Sequence, residues 1–257
     1  MKKIILPLLA VAAFGMASAQ VEFTGGVNGS YRVPFIINQN NYGQSELEYR
    51  ATSGYGTGLR LGTMFHNRMF GFFVEANYAR YGQNYLGEES AGSQDVQITK
   101  RVKLNYFEIP VMFRYVTDHT NKWGAFYSMA GAQFMVLQKA QIDYFYGGEK
   151  VSPFPPERFS SDHNKAFEKS DVGLIFDIGY LKCIGKKKNM EITAGIRGYY
   201  GLRDINSPAY RIPNLDGVYE KSNNAVGGLN VSWSYIIGKG SMKSSKKNDK
   251  DSKNKKK

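Results

Sequence analysis

The sequence predicts an all-β fold: a closed eight-stranded antiparallel transmembrane β-barrel with short periplasmic turns and long extracellular loops. Three observations lead to this prediction. Apolar and polar residues alternate over ten or more positions in eight separate segments. Eight is an even number, as is usual for bacterial single-chain barrels. The connections between the segments are alternately long and short, which suits a barrel that crosses a membrane better than a soluble β-sandwich.

Length and composition fit one large all-β domain. The chain has 257 residues, of which 42% are hydrophobic and 14% aromatic, too apolar a composition for a wholly disordered protein. The mean hydropathy is only −0.42. The one apolar run that approaches ~18 residues lies at the N-terminus, so a helical membrane protein is excluded. A barrel fits the low mean, because its outward apolar faces are averaged with polar inward faces and loops.

Residues 1–19 have the features of a cleaved secretory signal peptide. Lys2 and Lys3 form a basic start, an apolar stretch continues to Met16, and the small residues Ala-Ser-Ala precede the expected cleavage point. The mature chain is therefore expected to begin at Gln20 and to be exported from the cytoplasm.

The formal net charge of +12 is concentrated near the two ends of the chain. Residues 239–257 contain nine lysines and two aspartates, a net charge of +7, and the signal peptide carries +2. Only +3 of the +12 is left on residues 20–238, the expected barrel domain. A nucleic-acid partner is therefore not expected. The Lys-rich segment is expected to be a disordered periplasmic tail, either solvated or bound to an anionic partner.

The eight segments share one apolar and one polar face, except for the fifth, which is apolar on both. They are residues 21–33, 55–65, 69–81, 101–116, 124–138, 171–183, 190–203 and 225–237. In the third segment, Phe70 and Tyr78 lie on the apolar face, with Glu75 on the opposite one. The distance from Phe70 to Tyr78 is about 26 Å at ~3.3 Å per residue, or about 20 Å of height in a strand tilted by ~40°. An aromatic residue would thus lie near each edge of the membrane.

The connections place the loops at opposite ends of the predicted barrel. The long ones are residues 34–53, 83–100, 139–169 and 204–222, and the short ones are 66–68, 117–123 and 184–189. Long loops are expected on the extracellular side, with both chain ends in the periplasm. Pro110 fits poorly within the fourth segment, because proline has no N–H to donate to a strand ladder.

Four of the segments resemble the PorT-like outer-membrane β-barrel proteins. The similar stretches are 105–111 (NYFEIPV, the Y-x-E-I-P strand of that family), 127–134 (YSMAGAQF), 171–179 (DVGLIFDIG) and 197–205 (RGYYGLRDI). The resemblance extends over residues 20–238 and implies an eight-stranded barrel of the OmpA/OmpX type in the outer membrane of a Gram-negative cell. It would explain Pro110 as a family feature, and for some members it implies a link to type IX protein secretion. The Lys-rich extension departs from the family pattern.

Charged residues of both signs are expected to point into the barrel. They are Arg60, Glu75, Glu108, Arg114, Asp177, Glu191 and Arg197. Eight strands leave an interior that side chains can just fill, so we expect a structural, paired and hydrogen-bonded network. A narrow gated ion path is the alternative.

The third long loop is the candidate partner-binding region. Its aromatic residues are Tyr144, Phe145, Tyr146, Phe154 and Phe159, and a Pro-rich stretch lies among them. Exposed aromatics beside a stiff Pro segment favour contact with another protein or a surface glycan. The same residues could instead fold down to cap the mouth of the barrel.

No catalytic, metal or cofactor site is expected. His163 follows Asp162 near Ser160 and Ser161, but neighbours on one loop rarely adopt triad geometry, and no His or Cys cluster has metal-ligand spacing. The sequence thus predicts an outer-membrane protein with a structural or accessory role in the cell envelope, in contact with lipid and with envelope or secretion-machinery proteins as candidate partners. A narrow channel or transporter, and less favourably a surface-loop hydrolase, are the alternatives.

Overall fold

A computed structural model describes residues 21–37, 48–91, 94–117, 123–151, 162–211 and 217–237. The strands are β1 (Glu22–Ile37), β2 (Glu48–Arg50), β3 (Gly54–Phe65), β4 (Phe70–Ala91), β5 (Gln94–Val116), β6 (Ala125–Tyr146), β7 (Glu149–Val151), β8 (Ser170–Ile184), β9 (Met190–Gly201) and β10 (Asn223–Ile237). Two short 3-10 helices, His163–Ala166 and Pro208–Tyr210, lie between strands. Within these ranges, no helix has the length and apolar character needed to cross a membrane.

Eight of the strands close into a ring, which confirms the predicted fold. Each pairs antiparallel with its neighbours in the order β1, β3, β4, β5, β6, β8, β9 and β10, and β10 pairs back onto β1 from Phe23↔Ile237 to Ile37↔Asn223. The three-residue strands β2 and β7 add to the upper parts of β4 and β6. Closure leaves no unpaired edge within the ring itself, which is the usual way in which barrels avoid edge-to-edge association.

Side chains alternate between the two faces of the ring with the period of 2 expected for strands. In β4, Phe72 is 52% exposed on the outer face, whereas Phe73 and Glu75 are buried inside. Leu61 of β3 and Leu229 of β10 are likewise 66% and 60% exposed. A continuous apolar outer face of this kind is the surface that contacts lipid in an outer-membrane barrel.

Two predicted short connections, 66–68 and 184–189, lie between neighbouring strands as expected, and residues 118–122 of the third lie outside the described residues. The β3–β4 turn contains three consecutive non-glycine residues in the left-handed region, His66, Asn67 and Arg68, with φ of 50°, 55° and 67°. The β8–β9 turn contains Lys188 with φ of 49°. Asparagine tolerates this region well, but three such residues in a row are uncommon.

The prediction of a long loop at 83–100 was wrong, because β4 continues to Ala91 and β5 begins at Gln94. Strand β6 likewise continues to Tyr146, well into the predicted third loop. The alternation of apolar and polar residues fades here because the outward residues also become polar. Backbone pairing needs no apolar face, so the ladder continues beyond the apolar part of the outer surface. Together with β2 and β7, these extensions form a five-stranded sheet in the order β2-β4-β5-β6-β7, called here the extracellular sheet.

Pro110 is accommodated by a gap in one ladder. The β4–β5 register passes from Val74↔Val111 directly to Asn77↔Glu108, whereas the β5–β6 ladder continues through Pro110↔Gln133. The missing N–H therefore falls where the two strands are not paired, and Pro110 is tolerated inside a central strand.

Gly58 of β3 allows a close approach of β4. A Cβ at this position would lie 2.1 Å from the carbonyl oxygen of Ala76 and 2.7 Å from the Cα of Asn77. Both are backbone atoms of the neighbouring strand, which can move only if the ladder moves. Gly29 of the adjacent β1 has no such contact, since an added Cβ would meet nothing within 4 Å.

These two glycines allow a matched test. Gly58→Ala is expected to lower the free energy of unfolding by about 1–3 kcal/mol, the usual effect of overpacking. Gly29→Ala should leave it within about 0.5 kcal/mol of wild type. Urea unfolding of each variant in detergent, followed by the heat-dependent change in gel migration, measures the difference. Equal effects at the two positions would contradict this account of β3–β4 packing.

Candidate functional site

The inner face of the barrel contains the predicted charged residues. All seven are at most 4% exposed: Arg60, Glu75, Glu108, Arg114, Asp177, Glu191 and Arg197. They come from five strands and lie in three groups along the interior. Ionised side chains this deeply buried need partners, because an isolated buried charge is very costly.

The central group is formed around Arg197. The β8–β9 register places Arg197 directly beside Asp177, with Arg197 Nε to Asp177 Oδ2 at 3.0 Å. Across the lumen, Arg197 Nη1 and Nη2 donate to the two oxygens of Glu75 at 2.6 and 3.0 Å. Tyr127 and Asn230 also donate to Asp177, at 2.8 and 3.0 Å. One arginine thus joins strands β4, β8 and β9 through two buried carboxylates.

A second group lies towards the periplasmic end. Arg60 is opposite Glu75 in the β3–β4 register, with a 3.6 Å ion pair, and Arg114 Nη1 contacts Glu191 Oε1 at 2.5 Å. The guanidinium carbons of Arg60 and Arg114 are 4.4 and 4.5 Å from the centre of the Phe73 ring. The aromatic ring therefore contacts both like-charged groups, a favourable cation–π arrangement in a desolvated site.

The third group lies nearer the extracellular end and includes a residue outside the predicted set. Arg32 of β1 makes a two-point ion pair with Glu108 of β5, at 2.7 and 2.9 Å. Tyr81 and Gln133 also donate to Glu108. Alternation along β1 places Arg32 inward, so the pattern indicated its direction but not its partner.

The periplasmic end contains an ion pair that alternation could not reveal. Arg68 lies in the β3–β4 turn, and its guanidinium donates to both carboxylate oxygens of Glu22 at the start of β1. Its Nη1 also donates to the carbonyl oxygen of Lys188 in the β8–β9 turn, at 2.8 Å. Arg68 therefore links two turns and the first strand at the lower end of the barrel.

The upper part of the interior is mainly apolar, with the buried polar side chains of Gln83, Lys100, Asp171 and Asn224 among the apolar ones. Its buried residues include Ile36, Val102, Leu104, Ala140, Ile142, Ala166, Phe167, Ile205 and Val226. Phe167 follows the first 3-10 helix, is 4% exposed, and forms an isolated β-bridge with Asn206. Part of the third long connection thus folds over the mouth of the barrel.

His163 is held against the exposed side of β6. Its Nδ1 accepts from the backbone N–H of Ile142 at 3.0 Å, and Asn164 Oδ1 accepts from Ala140 N–H at 2.6 Å. These bonds satisfy two backbone N–H groups of β6 that lie above the part of β6 paired with β8. Ser160 and Ser161 lie outside the described residues. His163 therefore supports the edge of β6 by accepting a hydrogen bond from its backbone.

The predicted partner-binding aromatics are not on a common loop. Tyr144, Phe145 and Tyr146 belong to the upper end of β6, so their side chains alternate between the two faces of the extracellular sheet. The Phe145 ring lies 4.7 Å from the guanidinium carbon of Arg101, and Tyr146 is 38% exposed. Phe154 and Phe159 lie outside the described residues, as do the expected signal peptide and Lys-rich tail.

A pocket at the rim of the barrel, beside the second 3-10 helix, was not predicted from the sequence. It has a volume of about 380 Å³ and is lined by Glu168, Leu202, Arg203, Asp204, Arg211, Tyr219 and Lys221. Asp204 accepts from Arg211 Nε at 2.9 Å and from the Tyr219 hydroxyl at 2.7 Å. Burial and the bond to Asp204 raise the pKa of Tyr219 to about 12. This network fixes the shape of the pocket and keeps Tyr219 protonated.

Metal ligation has no candidate in the described ranges, where no group of three or more His, Cys, Asp or Glu side chains is placed to hold an ion.

A family model described as an outer membrane protein beta-barrel domain matches residues 12–207. Similar solved structures include Neisserial surface protein A (12% identity, TM-score 0.36, 82% of this chain and 95% of that one covered) and OprG of Pseudomonas aeruginosa (12%, 0.38, 86% and 96%). Ail, the attachment invasion locus protein of Yersinia pestis, in complex with the heparin analogue sucrose octasulfate, is also similar (10%, 0.34, 83% and 99%). No curated protein matches the chain.

The central group provides a test of the interior. Arg197→Ala leaves Glu75 and Asp177 buried without their main cation, so the free energy of unfolding is expected to fall by about 3–5 kcal/mol. Arg203→Ala, which removes an exposed arginine just beyond β9, should change it by about 0.5 kcal/mol or less. Urea titrations in detergent compare the two variants. A loss at Arg197 as small as that at Arg203 would contradict a structural role for the group.

Proposed function

The chain belongs to the outer membrane protein beta-barrel domain family, and we propose that it acts in the outer membrane as a closed, non-conducting barrel with a structural or accessory role in the cell envelope. The observation that carries the proposal is the filled interior. Paired charges occupy the lower and central parts of the lumen, and mainly apolar side chains, with a few buried polar ones, occupy the upper part. Catalysis is not part of the proposal, because His163, the loop histidine with acidic and serine neighbours, uses Nδ1 to accept a main-chain hydrogen bond.

The order of the layers supports a closed barrel. An ion entering from the periplasm would meet the Arg68–Glu22 pair, then the Arg114–Glu191 and Arg197–Glu75 pairs. The carboxylates of these three pairs are each neutralised by an arginine, so none of the three offers a binding site without breaking a buried pair. Above them, the buried apolar side chains around Phe167 would have to move before an ion could leave.

A narrow gated channel is the second candidate, because cationic and anionic side chains line the same lumen. A channel of this type would require a second arrangement of the pairs in which the charges face a water-filled path.

Conductance separates these two candidates. The full chain, inserted in a planar bilayer, is expected to give no discrete current steps, because the lumen is filled. A channel would instead give steps whose size changes when Arg114 is replaced by alanine and stays unchanged in Arg203→Ala. The heat-dependent gel migration of each sample verifies that the inserted protein is folded. Discrete steps in wild type would contradict a closed barrel.

The resemblance of residues 105–111 to PorT-like strands supports a narrower proposal, namely that the accessory role serves type IX protein secretion. The extracellular sheet, which extends beyond the membrane on one side of the barrel, supplies a surface for contact with another envelope protein.

Loss of the chain tests that narrower role. In a cell that has both this chain and type IX secretion, deletion of its gene is expected to retain type IX cargo in the periplasm, and the wild-type gene should restore release. Fractionation and immunoblotting of one cargo measure the effect. Normal release after deletion, with outer-membrane integrity impaired, would restrict the role to envelope structure.

A further inference from the structure

A set of basic side chains lies on the outer face of β4, β5 and β6, immediately above the apolar surface. Arg80, Arg101, Lys103 and Lys139 form this set, called here the basic belt. Each lies on the outer face, as its cross-strand pairing above the outward row of Tyr78 and Phe107 shows. The belt occupies only the side of the barrel on which the strands extend into the extracellular sheet.

The cross-strand register shows a sharp boundary below the belt. In the last apolar row, Tyr78 of β4 pairs with Phe107 of β5, which pairs with Val136 of β6, and all three are 39–46% exposed. The next outward row contains Arg80, Asn105 and Lys139, because the β-bulge at Asn105/Tyr106 shifts the register of β6. Apolar residues thus change to basic ones within one row.

Two further rows continue the basic surface. Gly82, Lys103 and Gln141 form the first, and Asn84, Arg101 and Asp143 form the second. Outward rows are about 7 Å apart along a strand, so at a tilt of ~40° the three rows lie about 5–15 Å above Tyr78. The headgroup layer of a bilayer is about 5–8 Å deep on each side. The row of Arg80 and Lys139 is therefore at the level of lipid headgroups, and the rows of Lys103 and Arg101 lie just above it.

The single acidic side chain in these rows is already neutralised. Asp143 receives hydrogen bonds from Lys150 at 2.7 Å, Gln141 at 2.9 Å and Lys103 at 3.3 Å. Although burial raises the pKa of Asp143, these bonds outweigh it and lower the pKa to about 2. Asp143 therefore stays ionised, and its charge is balanced by lysines. The face as a whole keeps an excess of positive charge.

The guanidinium groups of the belt remain available for an external anion. Arg80 and Arg101 lie over the rings of Tyr55 and Phe145, at 5.4 and 4.7 Å, and no carboxylate among the described residues pairs with either of them or with Lys139. A guanidinium stacked on a ring still presents N–H groups in its plane, the geometry that binds phosphate at two points.

We propose that the basic belt binds the phosphate groups of lipopolysaccharide in the outer leaflet. The adjacent apolar rows contact acyl chains while the belt lies at and just above headgroup height, so an amphiphile with acyl chains and phosphates fits both surfaces at once. The belt is on the extracellular side, where the long connections lie, and lipopolysaccharide is the phosphorylated lipid of that leaflet. The proposal depends on insertion of the barrel in the outer membrane and is independent of whether the lumen conducts.

The test compares two double variants of the full chain in phosphatidylcholine nanodiscs. Arg101→Gln with Lys139→Gln removes two belt charges that have no carboxylate partner. Lys186→Gln with Lys187→Gln removes two exposed charges from the periplasmic β8–β9 turn and is the matched control. Native mass spectrometry with added lipopolysaccharide measures the apparent Kd of each. Since one basic residue at an anionic membrane surface contributes about a factor of five, the belt variant should bind about 30-fold more weakly and the control as wild type.

Two further lipids identify the ligand chemistry. Enzymatically dephosphorylated lipopolysaccharide should bind to wild type about as weakly as intact lipopolysaccharide binds to the belt variant. Phosphatidylglycerol should bind more weakly than lipopolysaccharide. Equal affinity for the dephosphorylated form would overturn the role of phosphate, equal affinity for phosphatidylglycerol would overturn the choice of lipopolysaccharide, and an equal loss in the Lys186 and Lys187 control would overturn the location.

Folding of each variant is verified by its heat-dependent gel migration. If the belt double variant does not fold, Lys139→Gln alone keeps the test valid, because this exposed side chain has no ion pair and should cost about fivefold in affinity. Unchanged affinity in that single variant would overturn the proposal.

Discussion

The closure of β1 against β10 is the constraint on which the rest of the structure depends. Once eight strands form a ring, the lumen has room only for side chains, and every second residue of every strand must enter it. Many of those residues are charged, so the interior is stable only if each charge meets a partner from another strand. Arg197 satisfies this requirement by reaching Glu75 across the lumen as well as Asp177 beside it. Residues without a side chain, such as Gly58, provide the space that the larger groups need.

Buried ion pairs are a poor source of net stability, because the cost of removing two charges from water roughly offsets their attraction. Their value in this barrel is specificity. Side chains in a strand alternate with a period of 2, so a slip of one residue would move Arg60 or Glu75 into the lipid and an apolar residue into the lumen. An interior of purely apolar residues would make both faces alike and would penalise such a slip far less. The charges thus favour a single register for the strands that carry them in the lumen, β1, β3, β4, β5, β8 and β9.

Much of the fold could be predicted from the sequence because alternation directly reports which face a residue occupies. It indicated the number of strands and the inward direction of residues such as Arg114. It could not identify partners, since the contact between Arg32 and Glu108 depends on how the ring is closed. Arg68 lies in a turn, where no periodicity applies. The extension of β4 and β5 was missed because outside the membrane a strand needs backbone partners but no apolar face. The rim pocket around Asp204 could not be predicted because it depends on the packing of irregular segments.

The strands end at unequal heights, so two opposite sides of the barrel differ in how far they rise above the membrane. Strands β4, β5 and β6 rise above the membrane on one side, whereas β8, β9 and β10 end near its surface on the other. Two copies that met through their low sides would hold their raised sheets apart, and two that met through their high sides would bring them into contact before their lipid-facing surfaces touched. The direction from which a lateral neighbour approaches therefore decides which surfaces of the protein can meet it.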